Sequence, residues 1–107
     1  MNRSESVHLS VVVAGELLSG FVGGRFFQKN VKELEAFLES PYVSLLPVSF
    51  DTARRFAVVH HVLRRKGTPI PTNDMWIAAQ ALETGADLVS FDDHFRHVEG
   101  LSWIRPT

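Results

Sequence analysis

Residues 71–95 read PTNDMWIAAQALETGADLVSFDDHF, with Asp74 at the start of a helical pattern and Asp92 and Asp93 after a short apolar run. The run before Asp92 reads as a buried strand, so carboxylates stand at a helix start and at a strand end, one helix apart. Two carboxylates held together without a cation repel each other. The pattern therefore raises the chemistry of a shared divalent ion. Mg²⁺ or Mn²⁺ takes oxygen donors and keeps several waters, so a few carboxylates suffice. Such an ion lowers the pKa of a bound water and so can activate it. The chain has no cysteine, so disulfides and thiolate sites are excluded, and clustered acids suit Mg²⁺ better than zinc.

Each acid also has a plainer use. An aspartate at a helix start caps the helix or meets its dipole. Aspartates after a strand form turns. Glu16, on a helix just after the first strand pattern, has the type of an ordinary solvated surface residue.

The elements that must position these residues follow from periodicity. Residues 8–13, HLSVVV, read as a β-branched strand, and AGELLSGF then turns helical with Leu17, Leu18 and Phe21 on one side. Gly23 and Gly24 break that helix. Asn30 is placed to cap a helix over 31–40, with Glu33 completing a capping box and Val31, Leu34 and Leu38 as the inner stripe. YVSLLPV, residues 42–48, is the next strand. Ser49 or Asp51 caps a long helix over 52–66, whose inner arc holds Ala53, Phe56, Val59, His60 and Leu63. Gly67 ends it. Thr72 and Asn73 cap a helix over 74–84, ADLVSF forms a strand, DDHFRHV a loop or single turn, and LSWI a last short strand. The order β-α-α-β-α-α-β-turn-β predicts a mostly parallel sheet with helices on both faces. In such sheets ligands bind at the carboxyl ends of the strands. Glu16, Asp74 and Asp92 are expected to meet at that edge.

Bulk properties set the frame. The 107 residues fit one domain, 1–107, with 45% hydrophobic and 21% charged residues. A formal net charge of −1 gives no support to a general polyanion binder, although a local basic patch is enough for one. No apolar run approaches the roughly 18 residues of a membrane span. The opening MNRSESVHLS lacks the apolar stretch of a signal peptide, and a cytoplasmic location is expected.

The motifs resemble a known family. SVVVAGELLSGF at 10–21, NVKELEAFLES at 30–40, LRRKGTPIPTNDMWIAAQAL at 63–82 and LVSFDDHFRHVEGL at 88–101 are similar to a PIN domain of the VapC toxin type. The resemblance implies an α/β three-layer sandwich and a metal-dependent ribonuclease, the toxin of a type II toxin–antitoxin pair. It implies Glu16, Asp74 and Asp92 as catalytic metal ligands for Mg²⁺ or Mn²⁺. Asn73, Ser90, Asp93 and His94 are expected to support them. RNA as substrate, a cognate antitoxin and a homodimer are the expected partners, with no membrane.

The family opens with an aspartate-bearing strand, in a phrase like LLDTN, that this sequence does not contain. The expectation is therefore a PIN fold truncated at the N-terminus, with three ligating acids, weakened metal binding, low activity, and self-association by strand exchange or edge pairing. Two rivals stand beside it. One is a catalytically inactive PIN remnant that only binds antitoxin, RNA or itself. The other is a generic doubly wound ligand-binding domain with no cation among its acids.

The remaining residues divide between roles. Arg64, Arg65 and Lys66 suit contacts to an RNA backbone, or simply the helix C-terminal dipole. His60 is expected half in the core and His61 in solvent. Trp76 and Trp103 are expected in the core. Phe26 and Phe27 suit either an antitoxin or dimer surface or the core.

Overall fold

In the computed structural model, residues 6–106 are described, and the chain forms two compact units, Met1–Pro47 and Val48–Thr107. The element order is the one the sequence pattern predicts, although several boundaries differ.

In the first unit, strand β1 (Val7–Ser10) leads into helix α1 (Val11–Phe21), helix α2 (Phe27–Glu39) and strand β2 (Val43–Leu46). The two strands pair in parallel, Val7 opposite Val43 and Ser10 opposite Leu46. A parallel pair needs a crossover, and α1 with α2 supplies it. The strand expected to reach Val13 stops at Ser10, because the Ser10 hydroxyl accepts the Val12 amide at 3.1 Å and caps a helix there. The valines tolerate the helix because a cap and tertiary context outweigh a modest propensity penalty. Ala14 is the buried residue of α1, whereas Leu17 and Leu18 are exposed and Phe21 is half-buried. Helix α2 begins at Phe27, so Asn30 lies inside it and does not cap it; the Asn30 amide instead bonds to the Phe26 carbonyl at 2.8 Å. Val31, Leu34 and Leu38 are its half-buried stripe, as expected. Phe26 and Phe27 are exposed, and Arg25 and Lys29 lie over the Phe26 ring.

In the second unit, helix α3 (Phe50–Lys66) packs on helix α4 (Thr72–Thr84). Strands β3 (Leu88–Val89) and β4 (Trp103–Ile104) follow, paired in parallel and separated by a 3₁₀ turn, Asp93–His97. Ser49 caps α3 in a reciprocal box with Thr52. Near the far end of α4, Glu83 accepts the Thr52 hydroxyl at 2.6 Å and the Ser49 hydroxyl at 3.2 Å. That contact makes the helix pair antiparallel. At the other end of α3, Gly67 takes φ 71° and the Thr68 amide reaches back to the Leu63 carbonyl at 3.0 Å. This is a Schellman closure, which needs the left-handed conformation glycine adopts cheaply. The helix axis reverses there, so the start of α4 comes beside the end of α3.

The core of this unit is the α3–α4 seam. Val59 and Leu63 of α3 meet a face of α4 that buries Met75, Ile77, Ala78, Ala79 and Ala81. Ala78 and Ala79 are fully buried, and their small side chains let the helices close up. Phe56 and Trp76 stack with ring centroids 4.0 Å apart, so Trp76 is half-buried. Trp103 is also half-buried. His60 departs from expectation: it is exposed, its ring stacked over Phe56 on the outer side of the seam. Thr52, whose position Glu83 explains, is fully buried instead. His61 is exposed, as expected. No helix among the described residues is long and apolar enough to cross a membrane.

Candidate metal centre

The start of α4 and the turn after β3 come together in the second unit. Asp74 sits in the first turn of α4, after the extended Pro71 that precedes the helix; Thr72 and Asn73 belong to the helix itself and do not cap it. Proline before a helix start fixes φ and needs no donor partner. β3 ends after two residues because Ser90 begins a turn: the Asp92 amide bonds to the Ser90 hydroxyl at 3.0 Å. Asp92 then caps the 3₁₀ turn by accepting the His94 amide at 2.9 Å. The first bond fixes the Asp92 backbone and the second its carboxylate.

His94 closes the constellation. Its Nδ1 lies 2.9 Å from Asp74 Oδ2 and 2.8 Å from Asp92 Oδ1. One donor atom from each of the three residues falls within 4.8 Å of the others. The Asp74 side chain is 13% exposed, Asp92 40% and His94 48%, so the group is walled on the helix side and open outward.

The electrostatics follow from that arrangement. Burial pushes the Asp74 carboxyl up, more than the His94 hydrogen bond lowers it, and the Asp92 charge adds to the rise. The His94 backbone N–H holds the Asp92 carboxyl below its ordinary value. The hydrogen bond to Asp74 raises the His94 imidazole, outweighing its desolvation. A positive charge between the two carboxylates is therefore favoured, and a protonated His94 imidazole can supply it.

The same donor set fits a divalent cation. Two carboxylate oxygens and an imidazole nitrogen are acceptable to Mg²⁺ or Mn²⁺ in kind, and their open side leaves room for water. Asp74 and Asp92 are thus brought together as the sequence led one to expect. Ser90 touches Asp92 directly. Asn73 stands one residue before Asp74 on the exposed side of the first turn. Asp93 turns the other way and pairs with Arg105, whose Nη1 also donates to the Phe91 carbonyl at 3.0 Å. Glu16 is carried on the exposed face of α1 in the first unit; the constellation described is built within the second unit alone. Lys66 donates to the His97 carbonyl at 3.0 Å and pairs with Glu99 at 3.6 Å, while Arg64 and Arg65 are exposed beside it. The motif resemblance placed His94 beside the acids only as a supporting residue. Its full part, bridging both acids through one nitrogen, depends on a contact twenty residues apart in the chain.

The PIN domain family profile matches residues 1–101. The chain belongs to the PIN domain family. Within that family it is of the VapC type. It is 26% identical over 96 residues to a protein named Ribonuclease VapC1 from Haemophilus influenzae (strain R2866), covering 89% of this chain and 70% of that one. Ribonuclease VapC5 of Mycobacterium tuberculosis is 28% identical over 100 residues, covering 94% of this chain and 74% of its own. Among solved structures, VapBC-1 from nontypeable Haemophilus influenzae superposes with a TM-score of 0.84 at 25% identity, over 94% of this chain and 74% of that one. This confirms the α/β PIN fold expected from the motifs.

Proposed function

We propose that this PIN domain is a divalent-metal-dependent endoribonuclease, the toxin of a type II toxin–antitoxin pair acting in the cytoplasm. The observation that carries the reading is the convergence of Asp74, Asp92 and His94, with one donor atom from each inside 4.8 Å. Asp74 and Asp92 would hold Mg²⁺ or Mn²⁺, and Glu16 joins them on the family resemblance. When bound, the ion supplies an activated water and neutralises charge on the phosphate.

The chain's own residues prepare the site. The Ser90 hydroxyl holds the Asp92 backbone and the His94 amide holds Asp92 Oδ1, so that the carboxylate is oriented before charge arrives. The Asp74 side chain is largely withdrawn from water, which strengthens its pull on a cation. Arg64 and Arg65 stand at the end of α3, on the side of the unit where α4 begins, and suit contacts to an RNA backbone. Lys66 is neutralised by Glu99 and suits that role less. The ribonuclease names of the relatives support RNA as substrate. The VapBC neighbour supports an antitoxin partner. A homodimer is proposed from the resemblance.

Cleavage of labelled RNA tests the reading. With Mg²⁺ or Mn²⁺ the wild-type chain cuts, EDTA stops it, and Asp92→Asn slows it by about a hundredfold or more. Cleavage indifferent to EDTA and to Asp92→Asn overturns the metal site. RNA or antitoxin binding without cleavage at any metal concentration would instead mark a binding-only protein.

A further inference from the structure

We propose that His94 is the residue that sets ion choice in this chain: its Nδ1 joins Asp74 and Asp92 as a third donor and turns the site toward Mn²⁺ over Mg²⁺. The proposal rests on the metal-dependent reading above and adds a ligand that the acidic motif does not contain.

Spacing is the first argument. An octahedral ion with bonds of about 2.1 Å sets neighbouring donors about 3 Å apart. Nδ1 stands 2.9 Å from Asp74 Oδ2 and 2.8 Å from Asp92 Oδ1. Nδ1 thus already stands from each carboxylate oxygen at the separation that adjacent positions around one ion require, and the three donors together lie within 4.8 Å.

Rigidity is the second. His94 lies in the 3₁₀ turn, next to Phe95, which is 3% exposed and anchors the turn in the core. Its own amide is tied to Asp92 at 2.9 Å. The ring is therefore presented to the acids by packed backbone and does not depend on a mobile loop. Its outer side is half exposed, which leaves the remaining coordination positions to water and phosphate.

Donor chemistry is the third. Mg²⁺ is a hard ion that prefers oxygen and gains little from an imidazole nitrogen. Affinity for nitrogen rises along the first-row divalent metals, and Mn²⁺ is the first of them. A carboxylate pair alone discriminates weakly between Mg²⁺ and Mn²⁺, whereas a pair with one imidazole favours Mn²⁺. Asp93 does not compete for the role, because Arg105 holds it.

Titration calorimetry of the purified chain with MnCl₂ and with MgCl₂, for wild type and His94→Ala, tests this directly. The expected result is an Mn²⁺ affinity that falls about tenfold or more in the variant while the Mg²⁺ affinity changes little. Electron spin echo spectra of the Mn²⁺-loaded wild type should carry imidazole ¹⁴N coupling, which vanishes in His94→Ala. The wild-type spectrum decides the matter even if the variant folds poorly. An unchanged Mn²⁺-to-Mg²⁺ ratio with no nitrogen coupling overturns the ligand role of His94 and leaves the metal-dependent reading standing. Tighter binding of both ions in His94→Ala also overturns it, since His94 would then be a plug. Failure of the wild type to bind either ion overturns the metal-dependent reading itself, and this inference with it.

Discussion

His94 Nδ1 and Asp74 Oδ2 stand 2.9 Å apart, joined across twenty residues of chain, and the same nitrogen reaches Asp92 Oδ1 at 2.8 Å. One imidazole thus separates two carboxylates that would otherwise repel. The charge balance of the metal-free site passes through that nitrogen.

The first consequence is a pH dependence of the metal-free protein. The imidazole of His94 is raised above its ordinary value by Asp74, so its contribution to stability is full below about pH 6.5 and is lost as pH rises through the raised value. Asp92 has the opposite sign. Its carboxyl is lowered, so its contribution is present above the ordinary value and lost as pH falls through the lowered one. In EDTA the melting temperature should therefore decline from mildly acidic to alkaline pH. His94→Ala should flatten that decline. An equal slope in the variant would show that other groups set it.

Asp74→Asn probes the other side of the same contact. At alkaline pH His94 is neutral and the two carboxylates face each other without a charge between them. Burial already disfavours the Asp74 anion. Removing its charge should stabilise the metal-free protein at roughly pH 9 by on the order of 1 kcal/mol, read as a higher melting temperature in EDTA, while abolishing cleavage when the metal is present. A site that is costly without its ligand is the pattern expected of function.

Arg105 should matter locally and not globally. Its Nη1 holds the Phe91 carbonyl and Asp93, and Trp103 Nε1 donates to the Ser90 carbonyl at 3.0 Å. Together they frame the turn that carries Asp92. The ion pair is half exposed, so Arg105→Met should cost no more than about 1 kcal/mol of global stability. Hydrogen exchange at the amides of Asp92 and His94 should nevertheless quicken. Unchanged exchange would mean that the turn holds itself through Ser90 and Asp92 alone.

Leu63→Ala tests the helix seam that aims α4. Leu63 is 2% exposed, and its truncation should cost about 3 kcal/mol in chemical denaturation. A loss below about 1 kcal/mol would show that α3 and α4 close over the gap.

Much of this was legible in the sequence, for reasons specific to each element. The element order was, because β-branched runs and helical stripes alternate cleanly between glycine stops. The Ser49 cap, the Gly67 stop and the meeting of Asp74 with Asp92 were as well. The strand through Val13 was not, since one hydroxyl at Ser10 converts the valines to a helix. Asn30 resembled a cap because a capping-box spacing also arises inside helices. His60 lay on the predicted inner arc, yet the seam between α3 and α4 is filled by Thr52, Val59 and Leu63. Thr52 was missed because its partner, Glu83, comes from another helix. The bridging role of His94 is of the same kind: a residue type that pattern can notice, with a partner that only the fold supplies.

The central claim is that Asp74 and Asp92 hold one divalent cation between them. Anomalous diffraction from crystals grown in MnCl₂ tests it most directly. A single strong peak within bonding distance of both carboxylates, about 2.2 Å from their oxygens, is the expected result. Well-ordered density for Asp74, Asp92 and His94 with no peak between them, at millimolar Mn²⁺, would contradict it.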